Sequence, residues 1–398
     1  MNPSAWIRSL ARTSIHRFLH LLIGSVGMVA MLGNRRREEP AGSVRSILIV
    51  RLDLLGDVVF TLPLVRGLRQ AYPDARVVLV TLPYTASTAE ADGVADEVIT
   101  LDSNRVRRPP GMIDPRTWLG YIHVIRRIRA LQPDLAISVA GKTASLVTFL
   151  SGAARSTGYE GEAYRFMLSD PVAGGRYEER VHEVEYVRRL ARYSGAANSP
   201  RQLSVQVTDR DVRSMEAKLG SLRLAPNGAL VVVHAGSING SAKRWPSSNW
   251  AEFVDAVTAR TGATVVLAGA ESDKALSEEV LNGARGRVRS LVGETTVGEL
   301  VALIARADLV ASGDSGPLHL AVALGRPLVA AYGPTDPYGH GPYHPSAPVR
   351  IHRKDLPCSP CYSMAAVADC PLGDALCMKL ITVEEMVQSV VDLLDGAA

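Results

Sequence analysis

Asp57 is the first side chain whose position suggests chemistry. It follows Gly56 in the segment RLDLLGD (51–57), where an apolar run ends and a helical pattern begins. A carboxylate there does one of two jobs: it caps the helix, or it faces a ligand as a general base. A second cluster runs from His234 through Ser237 to Lys243, Arg244, Trp245 and Pro246. It combines Gly and Ser backbone, a hydroxyl and a cation, a set that suits a pyrophosphate. A third is Ala268–Glu271, where Glu271 either favours a helix start or takes the two hydroxyls of a ribose. The fourth, SGDSGPLH at 312–319, places Asp314, Ser315 and Gly316 at another junction, with His319 one helical turn on. The four cysteines, Cys358, Cys361, Cys370 and Cys377, fall within 20 residues as C-x2-C-x8-C-x6-C. They read as a structural metal site first, and otherwise as free thiols or disulfides. A direct part in catalysis is not expected of them.

These clusters need strands and helices to hold them. Val44–Arg51 is a near-continuous apolar run, the mark of a strand buried on both faces of a parallel sheet. Apolar residues at helical spacing follow, from Val58 to Tyr72, and then a second run at Arg76–Thr81. The rhythm continues with strands near 97–101 and 134–139 and helices near 118–131 and 143–150. Residues 152–180 read as a break and 201–228 as a linker region. A second alternation then starts at Ala229 and closes with a helix over Val383–Leu394, capped by Thr382. The pattern predicts two doubly wound α/β domains, 44–200 and 229–398, facing a cleft. Each candidate cluster before residue 320 lies at the carboxyl end of a predicted strand, where open α/β sheets bind ligands.

The chain has 398 residues, 47% apolar and 21% charged, which excludes disorder as its main state. Lys plus Arg number 44, of which six are lysines. The arginine bias reads as genome composition, and no nucleic-acid partner is expected. The first strand–helix turn lacks G-x-G-x-x-G, against a standard dinucleotide site. AGKT at 140–143 lacks the earlier glycine of a phosphate-binding loop, because position 136 is alanine. Residues 1–43 form a basic and apolar leader. Its apolar stretch, Phe18–Gly33, is 16 residues, short of the roughly 20 that span a bilayer. Arginines flank it on both sides. We therefore expect a helix lying on an anionic membrane surface, with a bland extension and a single span as alternatives.

The ordered set of segments resembles glycosyltransferase family 9, the bacterial heptosyltransferases. The resemblance rests on ILIVRLDLLGDVVFTLPLVRGLRQAYP (47–73), VVVHAGS…KRWPSSNWAEFVDAV (231–257), LAGAESD (267–273) and SGDSGPLHLAVALGRPLVAAYGPTDP (312–337). The cysteine-bearing C-terminal segment is also similar, and residues 1–43 lie outside the match. It implies a GT-B fold and an inverting transfer with no metal at the active site and no cofactor. The donor is a nucleotide-diphosphate sugar, by family default ADP-heptose, and the acceptor a hydroxyl of a glycan or glycolipid. Asp57 falls where such enzymes place the general base. Lys243 matches the donor-phosphate lysine and Glu271 the ribose carboxylate. Ser237, Asp314, Ser315, Gly316 and His319 fall on donor-holding segments. The loop from Ser237 to Lys243 is Gly/Ser-rich where well-known members are Thr-rich. The acceptor belongs to the first domain, where Arg51 and Lys142 are the cations we assign to it. The expected location is cytoplasmic, at the inner face of the membrane. Two other classes fit a nucleotide-sugar cleft: a membrane-tethered binding module without catalysis, and an epimerase.

Overall fold

In the computed structural model the described residues are 43–105, 110–175, 180–222, 228–238, 240–286, 288–361 and 369–396. The leader, apart from its last residue, lies outside them.

The first half runs β1 (Ser46–Val50), α1 (Leu55–Ala71), β2 (Arg76–Thr81), α2 (Ala86–Asp92), β3 (Glu97–Thr100), α3 (Pro115–Ala130), β4 (Leu135–Ser138), α4 (Lys142–Leu150), β5 (Arg155–Tyr159), β6 (Asp170–Val172) and α5 (Glu183–Tyr193). The strands form one sheet in the order β3-β2-β1-β4-β5-β6. All pairs are parallel, with Ile47 beside both Val77 and Leu135. Ile47–Val50 have no exposed surface, which is why the run is apolar on both faces.

The second half runs α6 (Asp209–Ser221), β7 (Leu230–His234), α7 (Ser247–Thr261), β8 (Thr264–Leu267), α8 (Lys274–Gly283), β9 (Val288–Ser290), α9 (Val297–Arg306), β10 (Leu309–Gly313), α10 (Gly316–Ala323), β11 (Leu328–Tyr332), α11 (Pro337–His340), β12 (Val349–Arg353), α12 (Leu376–Lys379) and α13 (Val383–Asp395). Its parallel sheet has the order β12-β11-β10-β7-β8-β9, the same winding as the first. Each sheet therefore reverses direction once, at β1/β4 and at β7/β10, and such switch points open a crevice at the strands' carboxyl ends.

Two segments differ from the sequence reading. The break at 152–180 contains β5 and β6, which complete the first sheet. RSTGY is short and mostly polar, so its strand character depends on its neighbours. At Gly158 a Cβ would sit 2.8 Å from the Ser138 carbonyl, so only glycine lets the strands approach this closely. The linker region 201–228 contains α6, which buries Met215 and Leu219 and packs on α9. Ser214 and Lys218 both bind the Glu299 carboxylate, at 2.6 and 2.8 Å. Burial alone would raise that carboxyl, but these partners and the Thr296 amide hold it down at about 2.

One apolar core joins the halves: Leu55, Phe60 and Leu62 of α1 share it with Leu300, Leu303, Leu318 and Leu320. α13 packs on α7, and Trp245 ties the loop after β7 to the C-terminal segment by donating to the Ile381 carbonyl at 3.0 Å. The cysteine segment does not bear out a metal centre. The four thiols border one hollow, but Cys358 and Cys361 are exposed while Cys377 is buried. Among the described residues no group of three or more His, Cys, Asp or Glu is arranged to hold a metal ion.

Candidate active site

Asp57 is the third residue of α1, not its cap; Leu54 holds the cap position. From there its carboxylate accepts the Leu54 amide at 3.1 Å and the Arg51 guanidinium at 2.8 Å. A negative charge in the first turn also matches the helix dipole. Arg51 is completely buried. It donates to Glu183 at the start of α5 at 3.1 Å and forms an ion pair with Asp53 at 3.0 Å. Three carboxylates thus surround one guanidinium, and Asp57 is the one of them lining the cleft. The tie fixes the orientation of both Asp57 oxygens. Burial and then the charges of Asp57 and Asp53 push the hydroxyl of Tyr84, which also lines the cleft, well above its ordinary range.

The opposite wall comes from the carboxyl ends of β7 and β10. Lys243 Nζ pairs with Asp314 Oδ2 at 2.5 Å, both side chains nearly buried. Burial by itself would raise the Asp314 carboxyl, but the Lys243 charge and the Lys243 and Thr335 hydrogen bonds outweigh it and hold it below the usual range. Ser315 Oγ lies 3.0 Å from His234 Nδ1, and His234 Nε2 lies 3.6 Å from Asp273 Oδ2. Asp273 also accepts the Ala270 amide at 3.0 Å. The close approach of this carboxylate requires glycines: a Cβ at Gly236 would lie 2.3 Å from Asp273 Oδ1. The result is a hydroxyl, Ser315, held by a His–Asp pair beside the α10 N-terminus.

The two walls meet where α1 and α10 begin. Gly316 brings the α10 backbone to Leu55, and Gly56 brings α1 to His319. His319 packs edge-on against Phe60, with centroids 4.5 Å apart. Burial lowers its pKa to about 4 despite the nearby Asp314 charge, so the ring is neutral at pH 7. Among the described residues its Nδ1 has no hydrogen-bond partner. The cleft lined by Asp57, Lys243, Asp273, Asp314, Ser315 and His319, together with the open solvent at its mouth, takes up about 1120 Å³. This geometry places a carboxylate opposite a cation–amide–hydroxyl set, the arrangement for proton removal on one side and phosphate departure on the other.

The sequence model of glycosyltransferase family 9 (heptosyltransferase) matches residues 121–371. The chain belongs to this family. It is a glycosyltransferase with the GT-B fold, of heptosyltransferase type. Among curated proteins it is 28% identical over 304 residues to lipopolysaccharide heptosyltransferase 2 of Escherichia coli, covering 73% of this chain and 83% of the relative. It is 26% identical over 310 residues to lipooligosaccharide heptosyltransferase 2 of Haemophilus ducreyi, covering 73% and 84%. Among solved structures it is similar to a family 9 glycosyltransferase of Veillonella parvula, with TM-score 0.75 and 23% identity over 88% of this chain and 98% of that one. A second is the E. coli ADP-heptose LPS heptosyltransferase II, with TM-score 0.70 and 23% identity over 88% and 99%.

The glycosyltransferase cleft gathers Asp57, Ser237, Lys243, Asp314, Ser315, Gly316 and His319. Glu271 stands apart: its side chain is mostly exposed and pairs with Lys274 at 2.8 Å. Lys142 opens α4 and lies over the Tyr164 ring, 5.0 Å from its centre, and is not part of the cleft lining. Arg51 does not fit the direct acceptor contact assigned to it, since it has no exposed surface and faces carboxylates. It holds Asp57 instead, through their 2.8 Å ion pair. The sequence places His234 and Thr335 in strand-end clusters without giving either a role, and it does not point to Asp273, Tyr84 or His340, which also line the cleft. Asp273 carried no signal, because it sits in a helix-start segment where acidic residues are ordinary.

The Gly56–His319 contact makes a testable point. In Gly56→Ala the new methyl would lie 2.5 Å from His319 Cδ2. We expect a stability loss of about 1–3 kcal/mol in urea unfolding. Catalysis should fall with it, since the same displacement moves His319 within the cleft. A Gly56→Ala enzyme with wild-type kcat and urea midpoint would show that this approach has slack.

Proposed function

We propose that the enzyme transfers a heptosyl group from ADP-heptose to a hydroxyl of a lipopolysaccharide core glycolipid, with inversion at the anomeric carbon. The observation that carries this reading is the opposition of Asp57 to the Lys243–Asp314–Ser315 wall across one cleft. Asp57 takes the proton of the acceptor hydroxyl as its oxygen bonds to the anomeric carbon. The bond from that carbon to the β-phosphate oxygen breaks, and ADP leaves. Lys243 and the amides opening α10 stabilise the charge growing on the pyrophosphate. Glu271 is assigned to the ribose hydroxyls, which requires it to exchange Lys274 for the nucleotide. Positioning of the acceptor and exclusion of water come from the walls meeting at Gly56 and Gly316. No metal is assigned a part in the transfer. The proposed location is the cytoplasmic face of the membrane that holds the acceptor. Among the described residues no helix is long and apolar enough to cross a bilayer.

The test supplies ADP-heptose and a core glycolipid lacking the heptose, with and without EDTA. The expected products are ADP and a glycolipid heavier by one heptose with inverted linkage, at a rate EDTA does not change. Isomerised nucleotide sugar without acceptor would assign an epimerase. Donor binding without any turnover would assign a binding module. Loss of rate in EDTA would refute the metal-free mechanism.

A further inference from the structure

The helix α3 is unusual in this protein. Ile128 is the one fully buried residue of its 16. Tyr121, Val124 and Ile125 pack partly on the core of the first sheet. The adjoining face carries large apolar side chains in water: Trp118 is 43% exposed, Leu119 64% and Ile122 44%, with Ile113 just before the helix at 74%. The Trp118 indole N–H donates to the Met112 carbonyl at 2.8 Å, so the polar atom of the ring is satisfied and its remaining surface is apolar. At ~100° per residue, Trp118, Leu119, Ile122, Arg126 and Arg129 share a face about 100° wide, with Arg129 at its margin donating to the Leu150 carbonyl at 3.2 Å. This face reads apolar over its first half and basic over its second.

Charge and topology select the occupant. Residues 103–130 contain seven arginines and a single acidic residue, Asp114. α3 follows β3 in a parallel sheet, so its first turn lies at the carboxyl edge that also carries Asp57. An apolar patch with an aromatic ring, flanked by cations of one sign, matches the interface of an anionic bilayer. We propose that this face of α3 is a membrane-docking surface, separate from the leader, that lays the carboxyl edge of the first domain against anionic lipid. The surface stands whether or not heptose is the sugar moved.

Fluorescence isolates it. Of the four tryptophans, Trp245 and Trp250 are buried and Trp6 lies in the leader. In full-length Trp6→Phe protein, Trp118 is then the one tryptophan able to enter lipid. Vesicles rich in phosphatidylglycerol should shift its emission to shorter wavelength, and brominated acyl chains should quench it. Arg126→Ala with Arg129→Ala should weaken vesicle affinity by about tenfold or more, since each arginine near an anionic surface contributes about 1 kcal/mol. The Trp118→Glu, Leu119→Glu, Ile122→Glu variant should lose affinity likewise while binding ADP as wild type does, which shows that it is folded. Vesicle-bound protein with an unshifted, unquenched Trp118 would overturn the proposal, and so would no binding to these vesicles. A dimer in solution that the triple variant converts to monomers would assign the face to a second copy instead.

Discussion

Asp57→Asn is expected to lower kcat by about 10²–10⁴ while ADP affinity stays within a few-fold of wild type. The carboxamide keeps the size and place of the side chain but cannot accept the acceptor's proton. The donor set lies on the other wall, so its affinity has no reason to change. Stability is a separate matter, because Asp57 is not a helix cap. Both its oxygens accept hydrogen bonds, one from the Leu54 amide and one from Arg51. Asparagine offers one acceptor oxygen, so one of these donors meets an NH2 group. We expect a loss of about 1–3 kcal/mol. Glu183 and Asp53 still hold the Arg51 charge, so the variant folds. Single-turnover kinetics and calorimetry on the folded variant separate the two effects. Near-wild-type turnover would remove Asp57 from the role of base.

Lys243→Ala carries a double cost. In the free enzyme it leaves Asp314 without its lysine, and the two side chains are 12% and 8% exposed. Removing one partner of a buried pair typically costs about 3–5 kcal/mol. In the complex it also removes the cation assigned to the pyrophosphate. A hydrogen bond to a charged group is worth about 1.5–3 kcal/mol, so the Kd for ADP should rise about 10–100-fold. A second variant separates these effects. Lys243→Ala combined with Asp314→Asn should recover most of the stability, because no unpaired charge remains. It should not recover ADP affinity. If the double variant binds ADP as wild type does, Lys243 serves only to neutralise Asp314, and the phosphate assignment fails.

Much of the architecture is written in local pattern. The runs at 46–50, 76–80 and 230–233 are apolar on every residue that the sheets bury, and their parallel order follows from helices between them. The cap at Thr382 is legible for the same reason: its hydroxyl accepts the Glu385 amide three residues on, a contact that needs no tertiary partner. Strand β5 was not legible. RSTGY has a strand's burial only because β4 and β6 flank it. The helix α6 was hidden likewise, since its polar sequence is held by Glu299, about 80 residues away.

The candidate site divides along the same line. Residue type and place at a strand end were enough to single out Asp57, Lys243, Asp314, Ser315 and His319, because βα loops of parallel sheets must open at one edge. Which of these touch ligand and which only hold others is a matter of long-range pairing. Arg51 turns from acceptor contact to buried support because Glu183, 132 residues later, closes over it. His234 joins the site through Ser315, 81 residues on. Glu271 and Asp273 are two residues apart and chemically alike, yet the first pairs outward with Lys274 and the second turns in to His234. Sequence alone determined the alternation of strands and helices and the edge at which chemistry gathers, because both follow from hydrophobic period and chain direction. Tertiary structure decided which carboxylate faces the cleft, because that depends on burial and on partners that no local spacing encodes.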